Sequence, residues 1–141
     1  MGIWKISSSL EEWESVAQTI DNELREFGFS DKFIISLMLA MDEVFANIVA
    51  YAYGTEHGDV IIESKYENTS AERTAKITFI DYGKAFNPLK DAVEPDVSEN
   101  IASKRKIGGL GIFLTKQQVD ELNYSYIDTS NNLILFKKEF I

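Results

Sequence analysis

The segment from Ser30 to about Tyr53 constrains the fold most, because it predicts a long helix that is apolar on almost every side. One stripe of apolar residues recurs at helical spacing, as core residues do. Its members are Ile34, Leu37, Met38, Met41, Phe45 and Ile48. The other side is small and largely uncharged, with Leu39, Ala40, Glu43, Ala46, Asn47 and Ala50. A helix of this kind is covered on both sides, so we expect Glu43 and Asn47 to face a covered cleft.

Shorter elements surround this helix in the sequence. Ser8 or Ser9 is placed to cap an earlier helix, with Glu11 and Glu12 positioned for a capping box and Gly28 as its stop. Alternating apolar residues and turn signals predict strands at 3–7, 59–66, 75–81, 123–128 and 132–140, and a helix follows the glycines over 108–122. The last two strands are expected to form a hairpin joined by residues 129–131. This order predicts an α+β two-layer sandwich over residues 1–141, with about three helices on one face of a mixed, mostly antiparallel sheet.

Composition removes several functional classes. The chain has 141 residues and no cysteine, so it is one domain without disulfides, thiolate nucleophiles or cysteine zinc sites. Its only histidine, His57, makes a histidine-rich metal site or a Ser-His-Asp triad improbable. A net charge of −9 disfavours phosphate backbones. With no signal-peptide pattern and no segment of the roughly 20 apolar residues that a membrane helix needs, we expect a cytoplasmic protein that binds neither nucleic acid nor membrane.

The first candidate site is the pair Glu43 and Asn47. A spacing of four puts the two side chains one turn apart on the same face of the predicted helix. A carboxylate in a cleft can accept a hydroxyl proton. An amide oxygen can complete the shell of a Mg²⁺ that is held mostly by phosphates. The competing interpretation is a lightly solvated helix face.

The second candidate site follows the predicted strand that ends at Asp81. A carboxylate at a strand end can accept a hydrogen bond from an exocyclic amine such as that of adenine. Gly83 lets the backbone turn and lets a flat ring approach closely. Asp, Gly, Asn and Pro also favour turns for local reasons, so a simple strand-ending turn is the preferred explanation when this segment is taken alone.

The third candidate site is the glycine-rich segment Gly108-Gly109-Leu110-Gly111, which opens a predicted helix. Free N–H groups and the helix dipole at such an end favour phosphate. Three cations precede it, namely Lys104, Arg105 and Lys106. They would complement a polyphosphate, although a solvated charge run is the simpler alternative. Residues 84–107 hold both prolines and no strong period, as functional lids or disordered segments do.

Taken in order along the chain, these motifs resemble the GHKL superfamily, whose members share the histidine-kinase-like ATP-binding fold. The matching residues are Glu43 and Asn47 in the superfamily's N box, Asp81, Gly83 and Ala85 in its first glycine box, and Gly109 and Gly111 in its second. Residues 84–107 stand where the superfamily has its ATP lid. The phrases MDEVFANIVAYAYG, IDYGKAFNP and GGLGIFL are most similar to those of bacterial anti-sigma-factor serine/threonine kinases.

The resemblance implies a role for each matching residue. Asp81 would bind the adenine amine of ATP, with Gly83 and Ala85 in the same turn. Asn47 would hold Mg²⁺, and Glu43 would be the catalytic base for a serine hydroxyl of a partner protein. Phosphate contacts are implied for Gly109, Leu110 and Gly111, with Arg105 or Lys106 closing over them. Family members phosphorylate a small antagonist protein, sequester a sigma factor in another state, and are commonly homodimers.

Two positions depart from the pattern of the related kinases. Those proteins often have Ala directly after the N-box Asn and a His or small residue near the end of the box, where this chain has Ile48 and Tyr51. The leading hypothesis is an ATP-dependent serine kinase. A second hypothesis is a non-catalytic module that holds a partner in response to ATP or ADP. A third is an α+β interaction domain without nucleotide, which must treat all three candidate sites as coincidence.

Overall fold

The computed structural model describes residues 1–54, 56–91 and 115–141. In chain order the elements are β1 (Gly2–Ser7), α1 (Leu10–Phe27), α2 (Asp31–Tyr51), β2 (Asp59–Asn68), β3 (Glu72–Asp81), α3 (Pro88–Asp91), β4 (Glu121–Ile127) and β5 (Ser130–Phe140). Residues 115–118 are also helical. The helix predicted over 108–122 therefore ends earlier than expected, since Glu121 and Leu122 belong to β4. Its first part lies outside the described residues.

The five strands form one sheet in the order β1-β2-β3-β5-β4, and every neighbouring pair is antiparallel. Alternate residues of each inner strand point toward the core, so β2 buries Val60 and Ile62 and β3 buries Ile77 and Phe79. The predicted α+β class and two-layer architecture are confirmed, but the sheet, predicted to be mixed, is antiparallel at every strand pair of the described residues. The predicted strand starts and ends differ from the observed ones by at most three residues.

Local sequence signals determine where α1 ends and where α2 begins. Gly28 takes the left-handed conformation with a φ of 106°, and its N–H donates to carbonyls of the last turn of α1. Few residues other than glycine adopt this φ without strain. Ser30 then begins α2, because its hydroxyl accepts a hydrogen bond from the N–H of Phe33 at 3.2 Å.

The capping box predicted for α1 does not form. Ser9 is the N-cap residue, but its side chain makes no capping hydrogen bond. Glu12 instead accepts hydrogen bonds from Ser7, one from the backbone N–H at 3.2 Å and one from the hydroxyl. The carboxylate thus ties the end of β1 to the first turn of α1 and fixes the entry angle of the helix.

One aromatic side chain joins both helices to the sheet. Trp13 of α1 stacks on Phe45 of α2 with ring centroids 5.0 Å apart, and its ring lies 5.6 Å from that of Phe79 in β3. The indole N–H, which needs a partner when buried, donates to Asp42 at 2.8 Å. Both layers are therefore held by contacts that no single element could make alone.

The long helix α2 is covered on one side only among the described residues. Its predicted apolar stripe is confirmed as core, but Leu39 on the other side is 55% exposed, and Ala46 and Ala50 are exposed as well. Glu43 and Asn47 are half-buried. By length and composition α2 could cross a membrane, contrary to the expectation from sequence. Its buried stripe packs in the core, which accounts for its hydropathy.

The hairpin of β4 and β5 is tighter than predicted. Its connection consists of Asp128 and Thr129, whose φ angles are 48° and 68°, while Ser130 already pairs with Ile127. Two residues of positive φ are typical of a type I′ turn. The expected three-residue connection over 129–131 is therefore wrong, and Asn131 lies inside β5 rather than in the turn. Thr129 carries a β-branched side chain in a region that suits glycine.

Replacing Thr129 tests the strain of this turn. Thr129→Gly should raise the free energy of unfolding by roughly 0.5–1 kcal/mol, because relief of a left-handed residue is worth about 1–2 kcal/mol and glycine's extra chain entropy offsets part of it. Thr129→Ala keeps a Cβ at the same φ and should give no such gain. Chemical denaturation of both variants measures the difference. Equal stabilisation by alanine would show that the threonine side chain, not the backbone, was the cause.

Candidate functional site

A cavity of about 40 Å³, partly open to solvent, lies between the C-terminal end of α2, the end of β3 and the β4–β5 hairpin. Its walls are mostly apolar, and the polar side chains among its lining residues are Asn47, Tyr51, Asp81, Lys84, Tyr124 and Asn131. The cavity therefore combines an apolar slot with a few polar groups, which is the composition of a specific ligand site.

Asp81 is the buried carboxylate of this cavity. It ends β3 on the core-facing side and is only 5% exposed. The backbone N–H of Gly83 donates to its Oδ1 at 3.0 Å, and the side-chain amide of Asn131 donates to the same oxygen at 2.9 Å. Among the described residues no donor binds Oδ2, so this oxygen can accept a hydrogen bond from a ligand in the cavity.

The environment of Asp81 changes its ionisation. Burial raises the pKa of this carboxyl above the usual value for aspartate, and the hydrogen bonds from Asn131 and Gly83 lower it in part. The two donors thus favour the charged form at a place where desolvation opposes it. A buried carboxylate with only part of its hydrogen-bonding capacity used is costly for the fold and indicates a ligand site.

Gly83 is required by packing rather than by its backbone angles. A Cβ added there would lie 2.0 Å from the carbonyl oxygen of Ala52, and the N–H of Lys84 donates to that same oxygen at 2.8 Å. Only glycine lets the turn after β3 lie directly against the end of α2. The structure thus gives glycine a second reason at this position, the close approach of two backbone segments, while the approach of a flat ligand stays a prediction.

Asn47 and Glu43 lie one turn apart on α2, as their spacing predicted. The amide of Asn47 donates to the backbone carbonyl of Glu43 at 2.9 Å, which leaves the amide oxygen to accept or to ligate. Asn47 lines the same cavity as Asp81, whereas Glu43 does not line it and is half-buried beside it. The described residues contain no cluster of three or more acidic or histidine side chains that could hold a metal alone. One amide oxygen fits a Mg²⁺ whose other ligands are phosphates.

Two aromatic rings form one wall of the cavity. Tyr51 at the end of α2 stacks on Phe86, with centroids 5.2 Å apart and ring planes 22° apart. Ile48 lines the cavity one turn before Tyr51. The two residues that depart from the related kinases therefore both contribute to this cavity, one as a wall and one as a stacking partner.

Asn131 is the residue of the site that sequence reasoning missed. The sequence pattern places it in a hairpin connection, but it is in β5 directly opposite Asp81, and it is 5% exposed. A signal was present, because Asn131 shares the alternation of the core residues Leu133 and Leu135. Asparagine is depleted in strands, so its place on the buried face of this one indicates a specific partner.

Of the remaining predicted site residues, one does not line the cavity and the others lie outside the described residues. Ala85 follows the Gly83 turn but is exposed and does not line the cavity. The predicted phosphate-binding residues lie outside the described residues, namely Arg105, Lys106, Gly109, Leu110 and Gly111. Most of the lid predicted over 84–107 lies outside them as well.

Comparison with known proteins gives a family and named relatives. A family model described as the histidine kinase-like ATPase domain matches residues 6–138. The serine-protein kinase RsbW of Listeria monocytogenes is 32% identical over 115 residues, which cover 78% of this chain and 69% of that protein. The protein of the same name from Listeria innocua is 31% identical over the same length and with the same coverage.

A solved structure agrees with the fold. The crystal structure of the RsbU and RsbW domains of a Mycobacterium tuberculosis protein superimposes with a TM-score of 0.64 and 14% sequence identity. The match covers 97% of this chain and 32% of that one, so this chain corresponds to about a third of the larger protein. At this identity the likeness shows a common fold.

Removing the charge of Asp81 should reveal its cost to the fold. Because the folded pKa is raised, the carboxyl stabilises the protein less as the pH rises through that pKa and the group ionises. Asp81→Asn keeps an acceptor oxygen for Gly83 and Asn131 without the charge. Its melting temperature at pH 7 should therefore exceed that of the wild type, and the difference should shrink as the pH falls through the folded pKa of Asp81. A lower melting temperature of the variant at pH 7 would show that the buried charge does not destabilise the fold.

Proposed function

The chain belongs to the histidine kinase-like ATPase domain family, and from this premise we propose that it is an ATP-dependent protein serine kinase of the anti-sigma-factor type. Two relatives above 30% identity are named serine-protein kinases. The kinase activity itself, its substrate and its cofactors are inferences for this chain. They are supported by the chemistry of the cavity and by the motifs of the sequence.

The arrangement of Asp81 is the observation that carries the proposal. Its Oδ1 is held by two protein donors, and its Oδ2 can accept a hydrogen bond from the exocyclic amine of adenine. The apolar walls, which include Ile48 and Leu133, provide the desolvated slot that a flat base needs.

Asn47 is the group that would hold Mg²⁺ in this proposal. Its amide oxygen is a hard ligand, and Mg²⁺ takes few protein ligands when phosphates supply the others. The ion would neutralise charge on the phosphates. Gly109, Leu110 and Gly111 would contact the phosphates through their backbone, and Arg105 or Lys106 would add positive charge.

Glu43 is the proposed catalytic base. A serine hydroxyl of the partner would give its proton to the Glu43 carboxylate as its oxygen bonds to the γ-phosphorus of ATP. The bond between that phosphorus and the β–γ bridging oxygen breaks, and ADP leaves with that oxygen. Phosphoryl transfer requires mainly positioning and charge neutralisation, which suits a site with one carboxylate and one amide.

The partners follow from the same family inference. The acceptor would be a small regulatory antagonist protein with a phosphorylatable serine or threonine, and a sigma factor would be bound in another state. We propose that residues 1–141 form one such domain, with its ATP lid at 84–107. We further propose that it acts in the cytoplasm as a homodimer.

A non-catalytic module of the same fold is the second candidate. It would bind ATP or ADP at the same cavity and hold a partner without transferring phosphate. The presence of both Glu43 and Asn47 favours catalysis, since bare binding has no need of a base. The two candidates share every residue up to the chemical step, so only a transfer assay separates them.

Asp81→Asn tests nucleotide binding. In the variant, the adenine amine meets either an amide N–H₂ or a neutral, weaker acceptor oxygen. The affinity for Mg-ATP and Mg-ADP should therefore fall roughly tenfold or more, which is the contribution of a hydrogen bond to a charged group. Calorimetric titration measures both dissociation constants. Asp21→Asn on α1 changes the net charge equally, away from the cavity, and should bind as the wild type does. Absence of binding by folded wild-type protein would overturn the proposed function.

Glu43→Ala tests the chemical step. The variant should bind Mg-ATP within about twofold of the wild type, because Glu43 does not line the base cavity, but transfer should fall by roughly a hundredfold or more, as for the loss of a general base. The assay follows labelled γ-phosphate from ATP to the candidate antagonist proteins of the same genome. Glu14→Ala on α1 is the matched control. Undiminished transfer by Glu43→Ala would remove Glu43 from the role of base.

A further inference from the structure

Every hydrogen-bonding position of the Asn131 side chain has a partner. Its amide N–H₂ donates to Asp81 Oδ1 at 2.9 Å and to the carbonyl of Lys84 at 3.0 Å. Its amide oxygen accepts from the N–H of Phe86 at 3.2 Å and from the hydroxyl of Tyr124. An asparagine side chain has two donors and two acceptor positions, so all four are used. These partners also fix which way the amide points.

The donor side of Asn131 determines how Asp81 can meet a ligand. It binds Oδ1, the same oxygen that Gly83 binds, so both protein donors lie on one side of the carboxylate. A carboxylate held at one oxygen cannot rotate without breaking both bonds. Oδ2 is therefore kept as the acceptor for a donor that enters the cavity.

The acceptor side of Asn131 holds the opposite wall of the cavity. Its oxygen binds the N–H of Phe86, and the ring of Phe86 stacks on Tyr51. Because the same amide also binds Lys84, the turn after β3 is fixed at two points to β5. One side chain thus sets the distance between the polar acceptor of the cavity and its aromatic wall.

We propose that Asn131 is a positioning residue for base recognition, which holds the Asp81 carboxylate and the Phe86 wall in the geometry that selects a purine with an exocyclic 6-amine. This inference rests on the proposed nucleotide site and adds a residue to which no role has been assigned. A purely structural alternative is that Asn131 joins β5 to the turn after β3 without influence on the ligand. The two alternatives differ in one measurable quantity, the preference for ATP over an analogue that lacks the amine.

The experiment compares Mg-ATP with the Mg complex of purine riboside triphosphate, which differs only in the missing 6-amine. The wild type should bind ATP roughly tenfold more tightly or better, because a charged acceptor loses its hydrogen bond with the analogue. In Asn131→Ala this ratio should fall to about threefold or less. Calorimetry gives both dissociation constants, and the ratio does not depend on the fraction of active protein.

Asn132→Ala is the matched control. Asn132 is the next residue of β5, points to the other face of the sheet, and donates to the carbonyl and the hydroxyl of Ser130. It should leave the ratio at the wild-type value. Should Asn131→Ala fail to fold, Tyr124→Phe takes its place, since it removes only the hydroxyl that binds the Asn131 oxygen. It should lower the ratio in the same direction by a smaller factor.

The outcomes separate this inference from the proposed function. Equal weakening of ATP and analogue by Asn131→Ala, with the ratio unchanged, would show a structural role only and overturn the inference while the nucleotide site stands. If Asn131→Ala does not fold, an unchanged ratio of the two dissociation constants in Tyr124→Phe would likewise overturn the inference while the nucleotide site stands. Absence of binding by the wild type to either nucleotide would overturn the proposed function, and the inference with it.

Discussion

The packing of α2 against the sheet is the constraint on which the rest of the molecule depends. Leu37, Met41 and Phe45 are fully buried, and each is worth roughly 1.5–3 kcal/mol of apolar burial. Trp13 links this helix to α1 and to the sheet at once. The buried stripe of α2 determines which side of the helix faces the core. Glu43 and Asn47 therefore lie at the edge of the buried surface, where both are half-buried. The end of the helix is likewise fixed, and it brings Ala52 against Gly83. The core and the candidate site are therefore two faces of one helix.

The cavity differs from the core beside it in how it treats buried polar groups. The core buries apolar side chains and pairs their few polar atoms, as the indole of Trp13 pairs with Asp42. The cavity instead buries a carboxylate against the resistance of desolvation, which raises its pKa, and satisfies only one of its two oxygens with protein donors. Asn131 and the N–H of Gly83 offset part of that cost. The fold gives up stability at this point, and the unbonded carboxylate oxygen is the acceptor that we propose for a ligand.

Much of the fold and part of the site could be predicted from local patterns. Helical spacing identified the buried stripe of α2, and the glycine and serine between the helices marked their ends, because these signals act over a few residues. Asp81 was predicted as a site residue because it ends an apolar strand, and Asn47 because it is one turn from Glu43. The structure shows that both line one cavity. The capping box failed because Glu12 binds a residue of the preceding strand. The hairpin connection was predicted wrongly because its two residues have positive φ, yet the sequence has neither the Asn-Gly nor the Asp-Gly pair that usually marks such a turn. The first error comes from a contact between two elements and the second from backbone geometry, and local side-chain patterns encode neither.

The sequence by itself determined which functional classes the composition excludes and which segments form helices or strands. It also determined the order of motifs, which resembles that of the GHKL superfamily. Each of these depends on residue identity and on spacing along the chain. Only the tertiary structure decided that Asp81 and Asn131, fifty residues apart, are direct partners across β3 and β5. The register between two strands depends on the turn that joins β4 to β5 and on the core that both strands share. The tertiary structure also decided that Gly83 is required by the backbone of Ala52, because close approach of two segments is a property of their packing and not of either sequence.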